Sequence, residues 1–125
     1  MSNEQCKFEI YRARDEHKEY IKNTECYLKN TAYVASDKNG QVLCSAEFNI
    51  HSMEEAFLEH FNIFTEVNEN DFKNLCHEFI EEFRYWNPFI KKIYYKKDSD
   101  TCNIEVLKQN GFVEEKEKNY LLKKI

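Results

Sequence analysis

The sequence predicts an α+β fold (an α/β mixed sheet), in which a central mixed β-sheet of about six strands packs against three helices. Two observations lead to this prediction. Segments that alternate apolar and polar residues, as half-buried strands do, recur along the chain. Between them lie stretches whose apolar residues follow helical spacing. The predicted order is β-α-β-β-β-α-β-α-β, and a length of 125 residues fits a single domain spanning residues 1–125.

The first two elements are a strand and a helix. Lys7–Arg12 alternates apolar and polar side chains, which predicts a strand with one buried face. Asp15 is of a residue type that commonly caps helices. The less polar side chains from Glu16 to Lys29 fall at helical spacing. We therefore expect one amphipathic helix over that range.

A β-hairpin follows the first helix. Its strands are Thr31–Ser36 and Gln41–Ile50, and the dipeptide Asn39-Gly40 lies between them. Asn-Gly predicts a tight hairpin because both residue types tolerate positive φ angles. One face of the second strand is apolar and should lie in the core, namely Val42, Cys44, Ala46, Phe48 and Ile50.

The middle of the chain predicts a central strand and the longest helix. Phe57–Thr65 is apolar on both faces towards its end, which is typical of a central strand. Asn68 or Asn70 can cap the next helix, and Pro88 ends it. The apolar residues of this helix recur at three- and four-residue spacing, as Phe72, Leu75, Cys76, Phe79, Ile80 and Phe83.

The last third of the chain contains a strand, a short helix and a C-terminal strand region. Phe89–Lys96 predicts the strand. Gly111 stands where a helix ends in a left-handed residue, and Phe112 can pack back on Leu107. The remainder to Ile125 reads as one long strand or two short ones. Three polar residues are candidate caps for the short helix, namely Asp98, Ser99 and Asp100.

Charge and cysteine content favour some classes of function over others. The net charge is −5, with a pI near 5.4, so we expect no nucleic-acid partner. No apolar run approaches the length of a membrane span, and we expect no membrane partner. The histidines show no zinc-binding spacing, so no metal site is predicted. Five scattered cysteines without a C-x-x-C pair, and no signal peptide, predict a cytoplasmic protein with reduced thiols.

The element order carries a resemblance to a known family. The strand I-K-K-I-Y-Y at residues 90–95, a short helix and Asn110-Gly111-Phe112 precede the final strand region. Together with the Asn-Gly hairpin ahead of a central strand and a long helix, this order resembles the GNAT superfamily of N-acetyltransferases. The resemblance covers nearly the whole chain. It implies the GNAT acyl-CoA N-acyltransferase fold, with acetyl-CoA as the cofactor if the protein is active.

The resemblance assigns the coenzyme-binding loop to residues 66–72. Family members hold the coenzyme diphosphate there with the pattern Arg/Gln-x-x-Gly-x-Gly/Ala, because glycines let a phosphate approach the backbone N–H groups of a helix N-terminus. In this chain Val67 stands in the basic or amide position, and Asn70 and Phe72 stand in the small positions. Cofactor binding would then depend on the backbone of Val67, Asn68, Asn70, Phe72 and Lys73.

Three carboxylates surround the same loop, those of Glu66, Glu69 and Asp71. A like-charge pair 4 Å apart costs about 1 kcal/mol at the dielectric constant of water and about 4 kcal/mol at an effective value near 20. Acids at a helix N-terminus also complement the helix dipole, and this structural role alone explains their presence. We therefore expect weak or lost acetyl-CoA binding.

The resemblance also implies two catalytic groups. A helix tyrosine protonates the departing thiolate in many family members, and Leu107 occupies that position here. Tyr94 and Tyr95, one strand away, are candidates to replace it or to serve the core. A general base often lies on or beside the strand that precedes the coenzyme loop. Glu59 and His60 are the candidates, and because adjacent strand residues point to opposite faces, we expect one of them to face the cleft.

Three hypotheses remain open. The first is a GNAT-like domain with weak or lost acetyl-CoA binding that acts as a binding or regulatory module for a small-molecule or protein partner, with a homodimer through aromatics such as Tyr85 and Trp86. The second is an active acetyl-CoA-dependent N-acetyltransferase on a small amine or peptide amine. The third is an unrelated α+β interaction domain. Parallel, splayed strands Phe57–Thr65 and Phe89–Lys96 would favour the GNAT fold, and tight antiparallel pairing would exclude it.

Overall fold

A computed structural model describes residues 8–97, 104–115 and 119–125, which form a seven-stranded mixed sheet with helices on both faces. The strand order across the sheet is β1-β2-β3-β4-β5-β7-β6. The strands are β1 Glu9–Arg12, β2 Ala32–Ser36, β3 Val42–Ile50, β4 Glu55–Ile63, β5 Lys92–Lys96, β6 Val113–Glu114 and β7 Tyr120–Lys124. The helices are a 3₁₀ helix Asp15–Tyr20, α1 Thr24–Leu28, α2 Glu69–Trp86 and α3 Ile104–Gln109. None of these described helices is long and apolar enough to cross a bilayer.

The sheet changes direction at one joint. Strands β1 to β4 pair antiparallel in sequence order, and β4 then pairs parallel with β5 because α2 crosses over between them. That parallel ladder covers three residue pairs and ends at Phe57 and Tyr94. Beyond it, the described residues of the two strands diverge. The β4–β5 pairing is therefore the parallel arrangement that favours the GNAT fold, and not tight antiparallel pairing.

The main core lies between the sheet and α2. The ring of Phe83 on α2 stacks on that of Phe48 on β3, with centroids 4.1 Å apart, and Phe79 meets Phe61 of β4 edge-on at 5.7 Å. These rings are almost completely buried. The helical spacing of apolar residues predicted this face of α2 correctly, and Asn68, not Asn70, is the cap.

The segment between β1 and β2 differs from the single helix expected over Glu16–Lys29. It forms the 3₁₀ helix and α1, with a break around Lys22 and Asn23. The break has a physical cause, since the backbone N–H groups of both residues donate to the carboxylate of Glu47 on β3, at 2.8 and 2.7 Å. A continuous helix would direct those donors to its own carbonyls. Asp15 is the first residue of the 3₁₀ helix and not its cap.

Other boundaries shift by a few residues. Strand β4 begins and ends two residues earlier than Phe57–Thr65, and β5 begins at Lys92 because Phe89 lies in an exposed turn closed by a hydrogen bond from Ile90 N–H to the Asn87 carbonyl. The C-terminal region forms two strands, the second of the two alternatives. Lys7 and the candidate caps Asp98, Ser99 and Asp100 lie outside the described residues.

Both glycines adopt the left-handed backbone that the sequence predicts. Gly40 has φ of +86° in the β2–β3 turn, and Gly111 has φ of +94° after α3. The end of α3 is closed by hydrogen bonds from Phe112 N–H to the Leu107 carbonyl and from Lys123 Nζ to the Asn110 carbonyl, at 3.1 and 2.7 Å. The predicted helix end is therefore confirmed.

Candidate functional site

A cleft of about 440 Å³ opens where β4 and β5 separate. Loss of pairing after Phe57 leaves the two backbones apart, so side chains of β4 and the end of β5 form the walls. Both candidate bases line this cleft, together with aromatic, amide and lysine side chains. The lining residues are Asn49, His51, Phe57, Leu58, Glu59, His60 and Lys96.

A β-bulge sets the direction of the two candidate bases. His60 pairs with Glu47, and Leu58 pairs with Phe48, which leaves Glu59 as the extra residue on β4. Strict alternation predicted that one of the neighbours Glu59 and His60 faces the cleft. With the bulge both of them line it, and which of the two would serve as the base stays a prediction. The register also keeps Leu58 on the core face, where it is buried.

The Glu59 carboxylate is held by two carboxamides. Asn23 Nδ2 donates to one oxygen at 2.7 Å, and Asn49 Nδ2 donates to the other at 2.9 Å. The thiol of Cys26 lies 4.0 Å from the first oxygen. Burial raises the pKa of the Cys26 thiol to about 12, and the charges of Glu59 and Glu47 raise it further. Cys26 is thus a neutral neighbour of the carboxylate and not a nucleophile.

A second carboxylate, Glu47, lies completely buried beneath this wall. Besides the backbone N–H groups of Lys22 and Asn23, it accepts a hydrogen bond from Asn62 Nδ2 at 2.9 Å. Asn62 Nδ2 also contacts Ser45 Oγ at 2.8 Å. This network fastens the segment that carries Asn23 to the sheet, so it fixes one of the two groups that hold Glu59.

Sequence reasoning missed the role of Glu47, Asn23 and Asn49. In the sequence, Ser45, Glu47 and Asn49 form the polar face of an amphipathic strand, which ordinarily faces water. The structure covers the first two of these with the 3₁₀ helix and its connection to α1. The sequence contains a weak signal for one of these roles, because an asparagine such as Asn23 can cap a helix. The contact of Asn23 with Glu59 depends on tertiary structure and has no such local signal.

The five predicted coenzyme-binding residues lie at the N-terminus of α2. Asn68 caps the helix, and its Oδ1 accepts from the Asp71 N–H at 2.8 Å. The Phe72 N–H donates to the Asn68 carbonyl at 2.9 Å as part of the helix. The Phe72 ring meets Phe61 edge-on at 5.1 Å and packs against the core.

The other predicted residues of this group offer little specific contact. Val67 is half-buried against the core, and Asn70 is exposed. The exposed side chain of Lys73 takes part in none of the described ion pairs, and its backbone carbonyl accepts a hydrogen bond from Asn110 Nδ2 at 3.3 Å. In a helix of this length, the N–H groups of the first two residues, Glu69 and Asn70, have no partner within the helix. They are the donors that remain for an anion.

The candidate proton donors differ in position. Leu107 is fully buried in the core, as is Tyr95. Tyr94 lies beside the cleft, with its ring centroid 5.2 Å from that of Phe57, and its hydroxyl donates to Glu55 Oε2 at 3.1 Å. Burial raises the pKa of Tyr94, and the hydrogen bond to Glu55 raises it further. Tyr94 thus contacts Phe57, a residue of the cleft lining, without lining the cleft itself.

Across residues 8–97, 104–115 and 119–125, no group of three or more His, Cys, Asp or Glu side chains is arranged to hold a metal ion. His51 meets Phe57 edge-on, with ring centroids 5.7 Å apart. It contributes an imidazole to the mouth of the cleft.

Comparison by sequence finds no relative, since no family model and no curated protein matches the chain. Solved structures match it over nearly its full length. A GNAT-family acetyltransferase from Staphylococcus aureus gives a TM-score of 0.69 at 13% identity, covering 94% of this chain and 98% of that one. PaiA N-acetyltransferase from Thermoplasma acidophilum, solved with coenzyme A, gives 0.69 at 15% identity, covering 94% and 99%. A GNAT acetyltransferase from Elizabethkingia anophelis with acetyl-CoA bound gives 0.66 at 14% identity, covering 97% and 100%.

These matches agree with the architecture. The matched region takes in nearly the whole of this chain, and with it the mixed sheet, the crossover helix α2 and the β4–β5 pair. At such low identity the likeness concerns the fold, and the site residues of this chain have to be judged from their own geometry. The parallel β4–β5 pairing favours the GNAT fold over an unrelated α+β interaction domain. This chain has the fold of the GNAT N-acetyltransferases.

Proposed function

We propose that this protein is a GNAT-fold domain with weak or lost acetyl-CoA binding, which acts as a binding or regulatory module. The N-terminus of α2 carries the proposal. There the Asn68 side chain already accepts from the Asp71 N–H, and a phenyl ring occupies the Phe72 position, where the family pattern has a small residue. A diphosphate needs close approach to several backbone N–H groups. Here one of those N–H groups is already hydrogen-bonded to Asn68, and Phe72 replaces a small residue of the family pattern.

Charge supports the same proposal. Glu66 and Glu69 are exposed, and Asp71 is half-buried, all within the first turn of α2 or just before it. Solvent and salt reduce each repulsion, and about 0.5 to 1 kcal/mol for each carboxylate is a reasonable size for exposed groups. Three such terms together weaken binding of a diphosphate by about ten- to a hundredfold.

Calorimetric titration with acetyl-CoA at physiological salt tests the proposal. We expect no micromolar binding by the unaltered chain. The double variant Glu66→Gln/Glu69→Gln should bind measurably better, because it removes two repulsive charges and leaves the Asn68 cap in place. The matched control Glu78→Gln/Glu81→Gln removes the same charge farther along α2 and should not improve binding. A micromolar dissociation constant for the unaltered chain would refute the proposal.

The ligand of such a module would lie in the β4–β5 cleft. Its volume of about 440 Å³ is within the usual range for small-molecule sites. Its walls combine an apolar ring, two imidazoles, a carboxylate and an amine, so they favour a polar small molecule. Alternatively, the module binds a protein partner, or a second copy of this chain through Tyr85 and Trp86. Analytical ultracentrifugation distinguishes the homodimer from the monomer. A cytoplasmic location remains a prediction.

The cleft itself favours a second candidate, an active acetyl-CoA-dependent N-acetyltransferase acting on a small amine or peptide amine. The amine would attack the thioester carbonyl directly, and Glu59 or His60 would accept its proton. The thiolate would then leave and take a proton from a donor, for which Tyr94 beside the cleft is the candidate. Acetyl transfer to a panel of amines tests this candidate. Turnover that is lost in Glu59→Gln or His60→Gln and kept in Glu78→Gln would support it, and absence of turnover with every amine would count against it.

A further inference from the structure

A second cavity lies at the β1 edge of the sheet, beside the end of that strand. Its volume is about 360 Å³, and it shares no lining residue with the β4–β5 cleft. The chain contains three arginines, and two of them line this cavity. The lining residues are Tyr11, Arg12, Ala13, Arg14, Asn30, Glu82 and Trp86.

Aromatic rings hold both guanidinium groups in place. The Cζ atom of Arg12 lies 4.0 Å above the centroid of Trp86, and that of Arg14 lies 5.3 Å from the centroid of Tyr11. The rings are themselves fixed, because the indole N–H of Trp86 donates to Glu82 Oε2 at 3.0 Å, and the Tyr11 hydroxyl contacts Ser36 Oγ at 2.9 Å. A guanidinium stacked on a ring keeps its N–H donors free in its own plane.

The charges of these two arginines are not balanced locally. Within the part of the chain that the structure describes, neither guanidinium forms an ion pair, whereas Arg84 lies 3.3 Å from Glu81. In a protein of net charge −5, two arginines without a paired carboxylate at one cavity stand out. The one acidic residue of the lining, Glu82, already uses an oxygen for the Trp86 indole. The cavity therefore keeps net positive charge.

We propose that this cavity binds a phosphate group, either free or as the phosphomonoester of a small ligand. Guanidinium groups match phosphate oxygens with paired hydrogen bonds, and two of them match its double charge better than that of a single carboxylate. Asn30 supplies a carboxamide in the same lining. The cavity is large enough for a phosphate with a small group attached.

The site is separate from the one that holds the coenzyme diphosphate in the family. Trp86 is the last residue of α2, and that diphosphate site lies at its first turn. A helix of 18 residues spans about 27 Å. A phosphate at the β1 cavity would therefore bind whether or not acetyl-CoA binds at the N-terminus of α2.

Tryptophan fluorescence gives a direct test, because Trp86 is the one tryptophan of the sequence. Inorganic phosphate, glycerol 3-phosphate and acetate are titrated at constant ionic strength. We expect saturable changes with the two phosphate probes and none with acetate. Tighter binding of glycerol 3-phosphate identifies a phosphomonoester as the ligand class, and equal or weaker binding identifies free phosphate. An equal response to acetate, or no saturation with either phosphate probe, overturns the proposal.

Variants connect the signal to the two arginines. Arg14→Gln, at an exposed position, should weaken phosphate binding by about tenfold, the loss expected for one charge-assisted pair. Arg12→Lys keeps the charge and loses the planar donor pair, so it should also weaken binding. The matched control Arg84→Gln removes one charge elsewhere and should leave binding unchanged. If Arg84→Gln weakens binding as much as Arg14→Gln, the effect is general electrostatics and the proposed site is refuted.

Discussion

The buried carboxylate of Glu47 should contribute more to stability than any other ionisable group near the cleft. It is fully buried and accepts three N–H donors, of which two belong to the backbone of Lys22 and Asn23. In Glu47→Gln, the new amide group must face at least one of these donors, because only one oxygen remains. Backbone donors cannot turn away, so one N–H becomes buried without a partner.

The expected size of the effect follows from those contacts. Leaving one buried donor unsatisfied costs about 1 to 3 kcal/mol, and the remaining hydrogen bonds lose the added strength that a charged acceptor gives. We therefore expect Glu47→Gln to lower the free energy of unfolding by about 2 to 4 kcal/mol. In a domain of this size, each kcal/mol corresponds to about 3 to 5 °C in Tm.

Glu59→Gln is the matched control for this measurement. Its carboxylate also accepts two hydrogen bonds, but both donors are side-chain amides, of Asn23 and Asn49, which can rotate, and the residue lines an open cleft. Its loss should stay below about 1 kcal/mol. Urea unfolding followed by circular dichroism measures both variants. Equal losses for Glu47→Gln and Glu59→Gln, or a loss below about 1 kcal/mol for Glu47→Gln, would refute the reasoning.

Three further predictions concern single residues. Gly111→Ala should lower stability by about 1 to 2 kcal/mol, measured by urea unfolding, because φ of +94° is unfavourable for any residue with a Cβ atom. Cys26 should resist iodoacetamide at pH 8 in the folded protein, as detected by peptide mass mapping, because burial raises its pKa to about 12; rapid labelling of the native state would contradict this. Hydrogen bonds from Lys97 and Lys108 lower the pKa of Glu114 from its ordinary value of 4.5 to about 2. The stabilisation from Glu114 is therefore present above pH 4.5 and is lost as the pH falls towards 2, so the Tm difference between the native chain and Glu114→Gln should be small at pH 7 and vanish near pH 2.

Much of the fold could be predicted from the sequence, because its signals are local. The spacing of apolar residues along α2 predicted the buried face, and the two glycines identified two of the three left-handed positions of the described residues, the third being Asn30. The order of elements predicted the crossover between β4 and β5. Each of these depends on residues close together in the chain, so the relevant physics is visible in a short window.

The errors share a different cause, which is contact between distant residues. The break in the expected Glu16–Lys29 helix depends on Glu47, which is about two dozen residues away, and the bulge at Glu59 depends on the register with β3. Helix propensity and alternation describe the isolated segment, and tertiary hydrogen bonds override them here. The same limit explains why Asn23, which lies inside the expected helix, was predicted neither as the cap of α1 nor as a partner of Glu59.

The last prediction concerns the two parts of the candidate site, the β4–β5 cleft and the N-terminus of α2, which differ in how well they suit a coenzyme. Under the proposed function, the cleft between β4 and β5 would take an extended thioester arm, whereas the start of α2, where Asn68 already accepts from the Asp71 N–H, would oppose the diphosphate that ordinarily anchors it. If that anchor is lost, the nucleotide part of acetyl-CoA contributes no affinity. A short thioester without it, such as S-acetyl-N-acetylcysteamine, should then bind about as well as acetyl-CoA.

Competition between the two compounds, followed by NMR line broadening of the thioester acetyl group, measures this ratio directly. The charge-neutralised variant Glu66→Gln/Glu69→Gln should shift the preference towards acetyl-CoA by several-fold, since only the full coenzyme carries the diphosphate. A preference of a hundredfold or more for acetyl-CoA in the unaltered chain would mean that the N-terminus of α2 holds the diphosphate in spite of Asn68 and Phe72. The Glu69 and Asn70 N–H groups would then be its donors, and the active N-acetyltransferase would become the better description of this protein.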